Sequence, residues 1–422
     1  MRIIAAADGS AVERFLAKNR SGRDGAFDAR VRRIIDAVRT EGDKAVVRFA
    51  RRFDRATPPL EVSRRERDRA AATVPASVRR ALALTAESIA RVAFQQIPKH
   101  FDIRTAPGVT VEQRVEPLAR VGCYVPGGRF PLPSSLLMTA VPARVAGVRE
   151  IVVICPKPDP VVMAAAVEAG ISRLFRIGGA HGIAALAYGT DTVPRVAKIV
   201  GPGSRYVAAA KKIVAADCAI DFYAGPTEIV IVAGGGRPEW IAADLVAQAE
   251  HDPDARSIFI TWRRPLANHV ARAVAIRAAR HRPARQSLTS NGVILVVRDA
   301  KHAMDLANRL APEHLVVDRE SLISEPVTAG AVFVGPYSAQ AAGDYATGSN
   351  HVLPTAGAAR FRGGLSAADF VRVMSVQRLT RGGLARIAPT ITTLARAEGL
   401  VAHAESIEIR LTRPPSTTNQ AH

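Results

Sequence analysis

Two periodicities divide the chain. Phe27, Val31, Ile34, Ile35 and Val38 recur at helical spacing and fall on one face of a predicted helix, because 3.6 residues per turn return i, i+3, i+4 and i+7 to the same side. The "EGD" that follows breaks this helix, and a second one begins after it. Another helical pattern runs from Pro75 to Gln96. Core packing is a sufficient explanation for these apolar faces.

From about residue 118 the pattern changes. Short unbroken apolar runs alternate with Ala-rich helical stretches: "RVGCYVP", "IVVICP", "LFRIGG", "AKIVGPG", "IVIVAGG", "SIFITW", "GVILVV", "HLVVD" and "AVFVGP". A strand buried on both faces of a parallel sheet reads as such a run, and the helices between runs cover those faces. The number of runs predicts two α/β sheets. After about residue 366 the pattern turns helical again, through "LSAADFVRVMSVQRLTRGGLARIAPTITTLARAEG", and "SIEIRL" predicts a last short strand. The expected fold is therefore α/β, with two incomplete Rossmann-like domains between helical N- and C-terminal segments. The expected boundaries are an N-terminal arm at 1–24, a first α/β domain built from 25–121 and 229–365, and a second at 122–228. A C-terminal helical segment at 366–412 and a disordered polar tail at 413–422 complete the chain.

Composition narrows the function classes. The 422 residues are 48% hydrophobic and 23% charged, enough for two or more compact units. The net charge of +20 raises the question of nucleic acid. The positive charge is nearly all arginine, dispersed among carboxylates with no compact basic block, and aromatics make up only 5%, too few for a base-stacking platform. Cys123, Cys155 and Cys218 form no CxxC pair and fit a reduced, cytoplasmic setting. "MRIIAAADGS" lacks the apolar core of a signal peptide, and no apolar run reaches the roughly 18 residues of a membrane span.

Candidate chemistry lies in two kinds of place. Three Gly-rich turns follow apolar runs: "YVPGG" (124–128), "IGGAHG" (177–182) and "GPGSRY" (201–206). Each lets backbone approach a ligand or opens a helix towards a phosphate, yet none is a GxGxxG fingerprint. The second kind comprises four islands of Gln, Glu, Asp and His. "QAEH" carries Gln248 and His251, three apart and on one helical face, with Glu250 off that face. "APEHL" carries Glu313 and His314, "GDYATGSNHVLPT" carries Asp344 and His351, and "EGLVAHAES" carries Glu398 and His403. Neutral imidazoles with carboxylate or amide oxygens suit Zn²⁺ or Mn²⁺. Spacing alone leaves open whether each island is a ligand, a helix cap or a surface polar group.

As an ordered set, "GCYVPGG", "GPGSRYVAAAKK", "AIDFYAGPTE", "QAEHDPD", "APEHL", "GDYATGSNHVLPT" and "EGLVAHAESI" resemble the histidinol dehydrogenases, over residues 25 to 411 or so. The resemblance implies one Zn²⁺ per subunit and oxidation of L-histidinol to L-histidine through the aldehyde, in two NAD-dependent steps of histidine biosynthesis. It implies Gln248, His251, Asp344 and His403 as zinc ligands that also meet the substrate. Glu313 and His314 would be the acid/base pair, with His314 also touching substrate. Thr227, His351 and Glu398 would be substrate contacts, and Tyr124, His181 and Ser204 would stand at NAD. It further implies a homodimer with exchanged C-terminal segments, so that Glu398 and His403 act in the partner's site, and no nucleic-acid or membrane partner.

Three positions depart from the family pattern. GGAQ reads "GGAH" at His181, GPGN reads "GPGS" at Ser204, and the substrate-side Ser is Thr227. The first two predict NAD use with a raised KM; Arg205 beside Ser204 raises NADP as the alternative. The competing classes are a related zinc-dependent dehydrogenase of another small alcohol, such as a sulfonated diol, a catalytically weak paralogue, and a basic nucleic-acid binder with steeply salt-dependent affinity. Retention of both Glu398 and His403 favours histidinol. Since neighbouring residues of an extended strand point to opposite sides, Glu313 and His314 can share a site only if the chain turns at Pro312.

Overall fold

The computed structural model describes residues 1–5, 25–127, 130–223 and 225–412. Most of the arm expected at 1–24 and the tail expected at 413–422 lie outside these residues, as do Gly128 of "YVPGG" and Ala224 of "YAGPTE". The described chain forms two compact units: Met1–Gln96 with Leu118–Phe370, and Ile97–Pro117 with the chain from Val371 onward.

The first unit holds two six-stranded sheets. One contains β2 (Glu61–Val62), β5 (Arg120–Tyr124), β6 (Glu150–Ile154), β7 (Arg173–Phe175), β8 (Lys198–Val200) and β9 (Ala219–Ile220), in the order β2-β7-β6-β5-β8-β9. Only β2 is antiparallel. The other contains β1 (Arg2–Ala5), β10 (Glu228–Val232), β11 (Arg256–Thr261), β12 (Val293–Val296), β13 (His314–Val317) and β14 (Ala331–Val334), in the order β1-β12-β11-β10-β13-β14, all parallel. All nine apolar runs became these parallel strands. All five residues of β10 are buried, as expected where helices cover both faces.

Each sheet reverses direction beside its first central strand. The chain steps from β5 through β6 to β7 and returns to β8 on the other side of β5; likewise β10, β11 and β12 precede a return to β13. Such a switch point opens a crevice at the strand ends. Val31, Ile35 and Val38 pack with Ala180, Ile183 and Val207. The helices from Gly25 to Asp54 therefore cover the β5–β8 sheet, not the β10–β13 sheet with which the 25–121 assignment had grouped them. Helical periodicity identifies the buried face but not the sheet it meets. "MRIIA" adds an edge strand to the β10–β13 sheet, although its four-residue span gave no periodic signal.

The second unit corrects two further expectations. "VRVMSVQRL" is a strand, β15 (Val371–Leu379), not helix; it pairs antiparallel with β4 (Val109–Pro117), which pairs with β3 (Phe101–Ala106). Val371 and Val373 alternate with polar residues, and the partner strand lies some 250 residues upstream, beyond any local window. "SIEIRL" is not a strand. The helix Val401–Glu408 runs into it and packs on the helix Arg381–Ala397, with an Arg396–Glu408 ion pair at 2.6 Å and Arg381 Nη2 donating to the Leu411 carbonyl at 2.7 Å. No strand among the described residues pairs with it, so its alternation has no ladder to join.

No helix among the described residues is long and apolar enough to cross a membrane. The three cysteines are free and buried, and burial pushes the Cys123 and Cys155 thiols up to about 12, so they serve as small packing groups. Phe259 of β11 is fully buried. Phe259→Ala is expected to lower unfolding free energy by about 3–5 kcal/mol, to be read from urea unfolding.

Candidate functional site

Glu313 and His314 stand at the amino end of β13, beside the amino end of its neighbour β10, with Ile229 level with His314. Ala311 ends the preceding helix in a left-handed conformation, φ 49°. Glu313 therefore precedes the extended strand, and the pair is freed from strand alternation. Both side chains turn inward and are buried, with His314 Nδ1 3.6 Å from Glu313 Oε2. This is the turn the sequence required at Pro312.

The Glu313 carboxylate is held by two donors. Thr227 Oγ1 donates to its Oε2 at 2.5 Å, and the Glu228 backbone N–H donates to the same oxygen at 2.9 Å. Thr227 in turn accepts from Gln248 Nε2 at 2.5 Å. Thr227 thus joins Gln248 to Glu313, a role its single hydroxyl proton makes directional. Burial pushes Glu313 up to about 7, against the lowering effect of those two hydrogen bonds. Burial lowers His314, opposed by the nearby Asp344 charge and by the Glu228 carbonyl, which lies 3.3 Å from His314 Nδ1. At neutral pH the imidazole is uncharged, and the carboxyl group is poised between its two forms.

The other islands meet this pair from three directions. Gln248 and His251 come from the carboxyl end of the helix Pro238–Glu250, with His251 as its C-cap residue. Glu250 is exposed. Asp344 lies on the short helix Gln340–Tyr345, and its Oδ2 is 3.9 Å from His251 Nε2. His351 Nδ1 is 3.1 Å from the Asp344 carbonyl, and its Nε2 is 3.4 Å from Ser135 Oγ. Burial lowers the His351 pKa. Glu398 and His403 belong to the second unit, where both are exposed.

The donor set can be tested for a cation. Among the described residues no three His, Cys, Asp or Glu side chains cluster as metal ligands; the convergent donors are instead an amide, an imidazole and a carboxylate. The Thr227 proton goes to Glu313, so Gln248 must present Nε2 to Thr227 and Oε1 to the other side. Gln248 is completely buried, and that Oε1 has no hydrogen-bond partner among the described residues. An unpaired buried amide oxygen costs about 1–3 kcal/mol, which a cation would offset. Oxygen and imidazole donors together fit Zn²⁺ or Mn²⁺.

The three glycine loops follow β5, β7 and β8 at the opposite, carboxyl edge of their own sheet. Gly201 has φ 113°, and a Cβ there would collide with the Tyr124 carbonyl oxygen, so only glycine fits. Its N–H donates to Asp221 Oδ2 at 2.7 Å, and Lys211 pairs with Asp221 and donates to the Gly201 carbonyl at 3.0 Å. Tyr124 ends β5 and its hydroxyl oxygen accepts from Gly179 N–H at 3.4 Å. Ser204 is the exposed N-cap residue of the helix Arg205–Val214, and the Arg205 guanidinium lies over the Phe27 ring at 4.0 Å. His181 is only 1% exposed; its Nε2 is 2.8 Å from Asp54 Oδ2, which also accepts the Gly178 N–H at 3.0 Å. The ring therefore braces the glycine loop from beneath. "GGAH" differs from GGAQ in a residue that packs inward here, with Asp54 delivered by an irregular turn of helix at Ala50–Asp54.

Sequence reasoning missed three residues of this site. Glu228 holds both Glu313 and His314 through its backbone, and its buried carboxylate lies 3.3 Å from Arg256 of β11. Burial pushes Glu228 up to about 7, opposed chiefly by Arg256. Gln340 is buried between His314 and Asp344. Ser135 faces His351. For Gln340 a signal was present: it is four residues before Asp344 and so on its helical face. Backbone contacts such as those of Glu228 leave no trace in residue identity.

Residues 17–411 match the family model described as histidinol dehydrogenase. The chain is 46% identical over 398 residues to histidinol dehydrogenase of Brucella suis, covering 91% of this chain and 93% of the relative. It is 43% identical over 406 residues to that of Aquifex aeolicus, covering 94% and 95%. The crystal structure of histidinol dehydrogenase from Elizabethkingia anophelis superposes with a TM-score of 0.91 at 32% identity, covering 97% of this chain and 98% of that one.

The shifted carboxyl group gives a test in the chelator-treated protein. Glu313 is raised from 4.5 to about 7 on folding, so its ionisation opposes folding increasingly as pH rises between those values, and fully above them. Glu313→Gln removes that cost while keeping an oxygen for both donors. Its stability relative to the parent chain is expected to rise by roughly 2 kcal/mol between about pH 5 and about pH 8. Urea unfolding at the two pH values checks this; an unchanged difference contradicts the buried ionisation.

Proposed function

The chain belongs to the histidinol dehydrogenase family and is an oxidoreductase of histidinol; we propose that it performs two successive NAD-dependent oxidations, from L-histidinol through L-histidinaldehyde to L-histidine, at a zinc centre. The names of the relatives do not favour another small alcohol. The observation that carries the site assignment is the buried convergence of Glu313, His314 and the unpaired Gln248 oxygen, with Asp344 and His251 beside them.

In this reading Gln248, His251 and Asp344 would hold the metal, with His403 as fourth ligand. Bound zinc supplies a Lewis acid for the substrate oxygen, and the nicotinamide supplies the oxidising capacity. His314, kept neutral by burial, accepts the alcohol proton at Nε2, because Nδ1 faces a carbonyl that can only accept. Glu313 assists in the second oxidation. Water adds to the aldehyde carbon, and the proton it loses goes to a carboxylate whose pKa near 7 lets it both take and release that proton. Thr227 orients this carboxylate, and His351 with Glu398 would receive the substrate's polar end. Tyr124 and Ser204 would face NAD at the glycine loops, while His181 would act there through the loop it braces.

We further propose a homodimer in which Glu398 and His403 complete the partner's site. In support, the second unit exposes Phe101, Ile103, Val373, Leu394, Val401 and Ile409, apolar side chains that a partner chain would cover. The cytoplasm is the compartment we assign, on the buried, unpaired thiols.

Stoichiometry tests the reaction. About two NADH per L-histidinol are expected, lost with a strong chelator and restored by Zn²⁺. One NADH with accumulation of aldehyde, or full activity in protein shown to be zinc-free, overturns it. His314→Asn is expected to lower kcat by about 10²–10⁴-fold, measured in the same assay.

A further inference from the structure

We propose that Gln340 is a positioning residue that fixes the tautomer of His314 and occupies its reactive nitrogen until substrate arrives. Gln340 is 1% exposed at the start of the helix Gln340–Tyr345. Its Nε2 lies 2.8 Å from Asp344 Oδ2 and 3.3 Å from His314 Nε2. An ionised carboxylate only accepts hydrogen bonds, so the amide must turn its NH₂ group, not its oxygen, towards Asp344. The second N–H of that group then points at His314 Nε2, which has to offer a lone pair.

The other side of the ring leads independently to the same conclusion. His314 Nδ1 is 3.3 Å from the Glu228 carbonyl, which only accepts, so Nδ1 carries the proton. Two contacts, from β10 and from the Gln340–Tyr345 helix, thus specify one tautomer. The opposite tautomer would set N–H against N–H on one side and lone pair against lone pair on the other, unsatisfied in a ring that is only 4% exposed. The 3.3 Å separation of Gln340 Nε2 from His314 Nε2 is long for a hydrogen bond, so this contact is weak. A substrate hydroxyl can therefore replace the amide as donor to Nε2 with no change of tautomer. The same amide ties the orientation of His314 to that of Asp344.

This inference rests on His314 acting as the base, and the test separates the two. The zinc-replete full chain is labelled with ¹⁵N-histidine, and the His314 ring is assigned by loss of its signals in His314→Asn. In the parent chain Nε2 is expected to be of the unprotonated, pyridine type and Nδ1 of the protonated type. Gln340→Met keeps the length and removes the donor. It is expected to give a mixture of His314 tautomers and about a tenfold lower kcat, with KM for L-histidinol within about twofold. Gln340→Glu sets an acceptor against Nε2. It is expected to draw a proton there and to lower kcat by about a hundredfold. Unchanged signals from the other nine histidines and unchanged zinc content show that each variant is folded and loaded. A parent His314 protonated at Nε2, or an unaltered tautomer in both variants, overturns the role of Gln340. Full turnover by His314→Asn overturns the base assignment instead and leaves the tautomer result standing.

Discussion

The parallel pairing of β10 with β13 is the constraint on which the site depends. It sets Glu228 beside Glu313 and His314, so that one residue's N–H holds the carboxylate and its carbonyl faces the imidazole. Both contacts come from backbone, which does not titrate and has few degrees of freedom to lose. The Glu228 side chain secures the same edge from within, facing Arg256 across the β10–β11 ladder. Breaking a buried pair of this kind strands a charge and costs about 3–5 kcal/mol. The edge is therefore stiff where the chemistry requires fixed distances.

The position of this site is unusual for an open α/β sheet. Ligands commonly bind beyond the carboxyl ends of the strands, where the glycine loops after β5, β7 and β8 lie. The acid/base pair lies at the amino edge of the other sheet. Residues 344–362 run between the two edges. His351 approaches Ser135, which follows β5; Thr355 Oγ1 accepts the Gly225 N–H at 2.5 Å; and Arg362 donates to the Asp221 carbonyl. Division of labour follows from this arrangement. One sheet offers backbone and helix ends suited to a phosphate-bearing cofactor, and the other offers titratable side chains in a desolvated setting.

The legibility of these features in the sequence followed burial. Strands covered on both faces wrote themselves as unbroken apolar runs, so β5 to β8 and β10 to β13 could be located from the order of residues alone; β14, a half-exposed edge strand, carries an apolar run as well. β3, β4 and β15 are largely solvent-facing; β3 and β4 form a local hairpin, but the partner of β15 is distant in sequence, and β15 consequently read as helix. The islands around Gln248, Glu313 and Asp344 were visible as residue types, and their resemblance to a family named their roles. What remained illegible was the wiring between them. Thr227 was expected at the substrate and also joins Gln248 to Glu313. His181 was expected at the cofactor and turns inward to Asp54. Neither direction of a side chain is encoded in local spacing, since each depends on an element far away in the chain.

In the proposed function one cluster holds the metal and carries the proton transfers: Gln248, Asp344, Glu313 and His314, which are buried, with the exposed His251 at its edge. Diffraction data collected at the zinc absorption edge, on crystals of the zinc-replete protein with L-histidinol, test it most directly. One anomalous peak per chain is expected against Gln248 Oε1, His251 and Asp344, with the substrate hydroxyl in hydrogen-bonding contact with His314 Nε2. A peak elsewhere, or a hydroxyl turned away from His314, would contradict it.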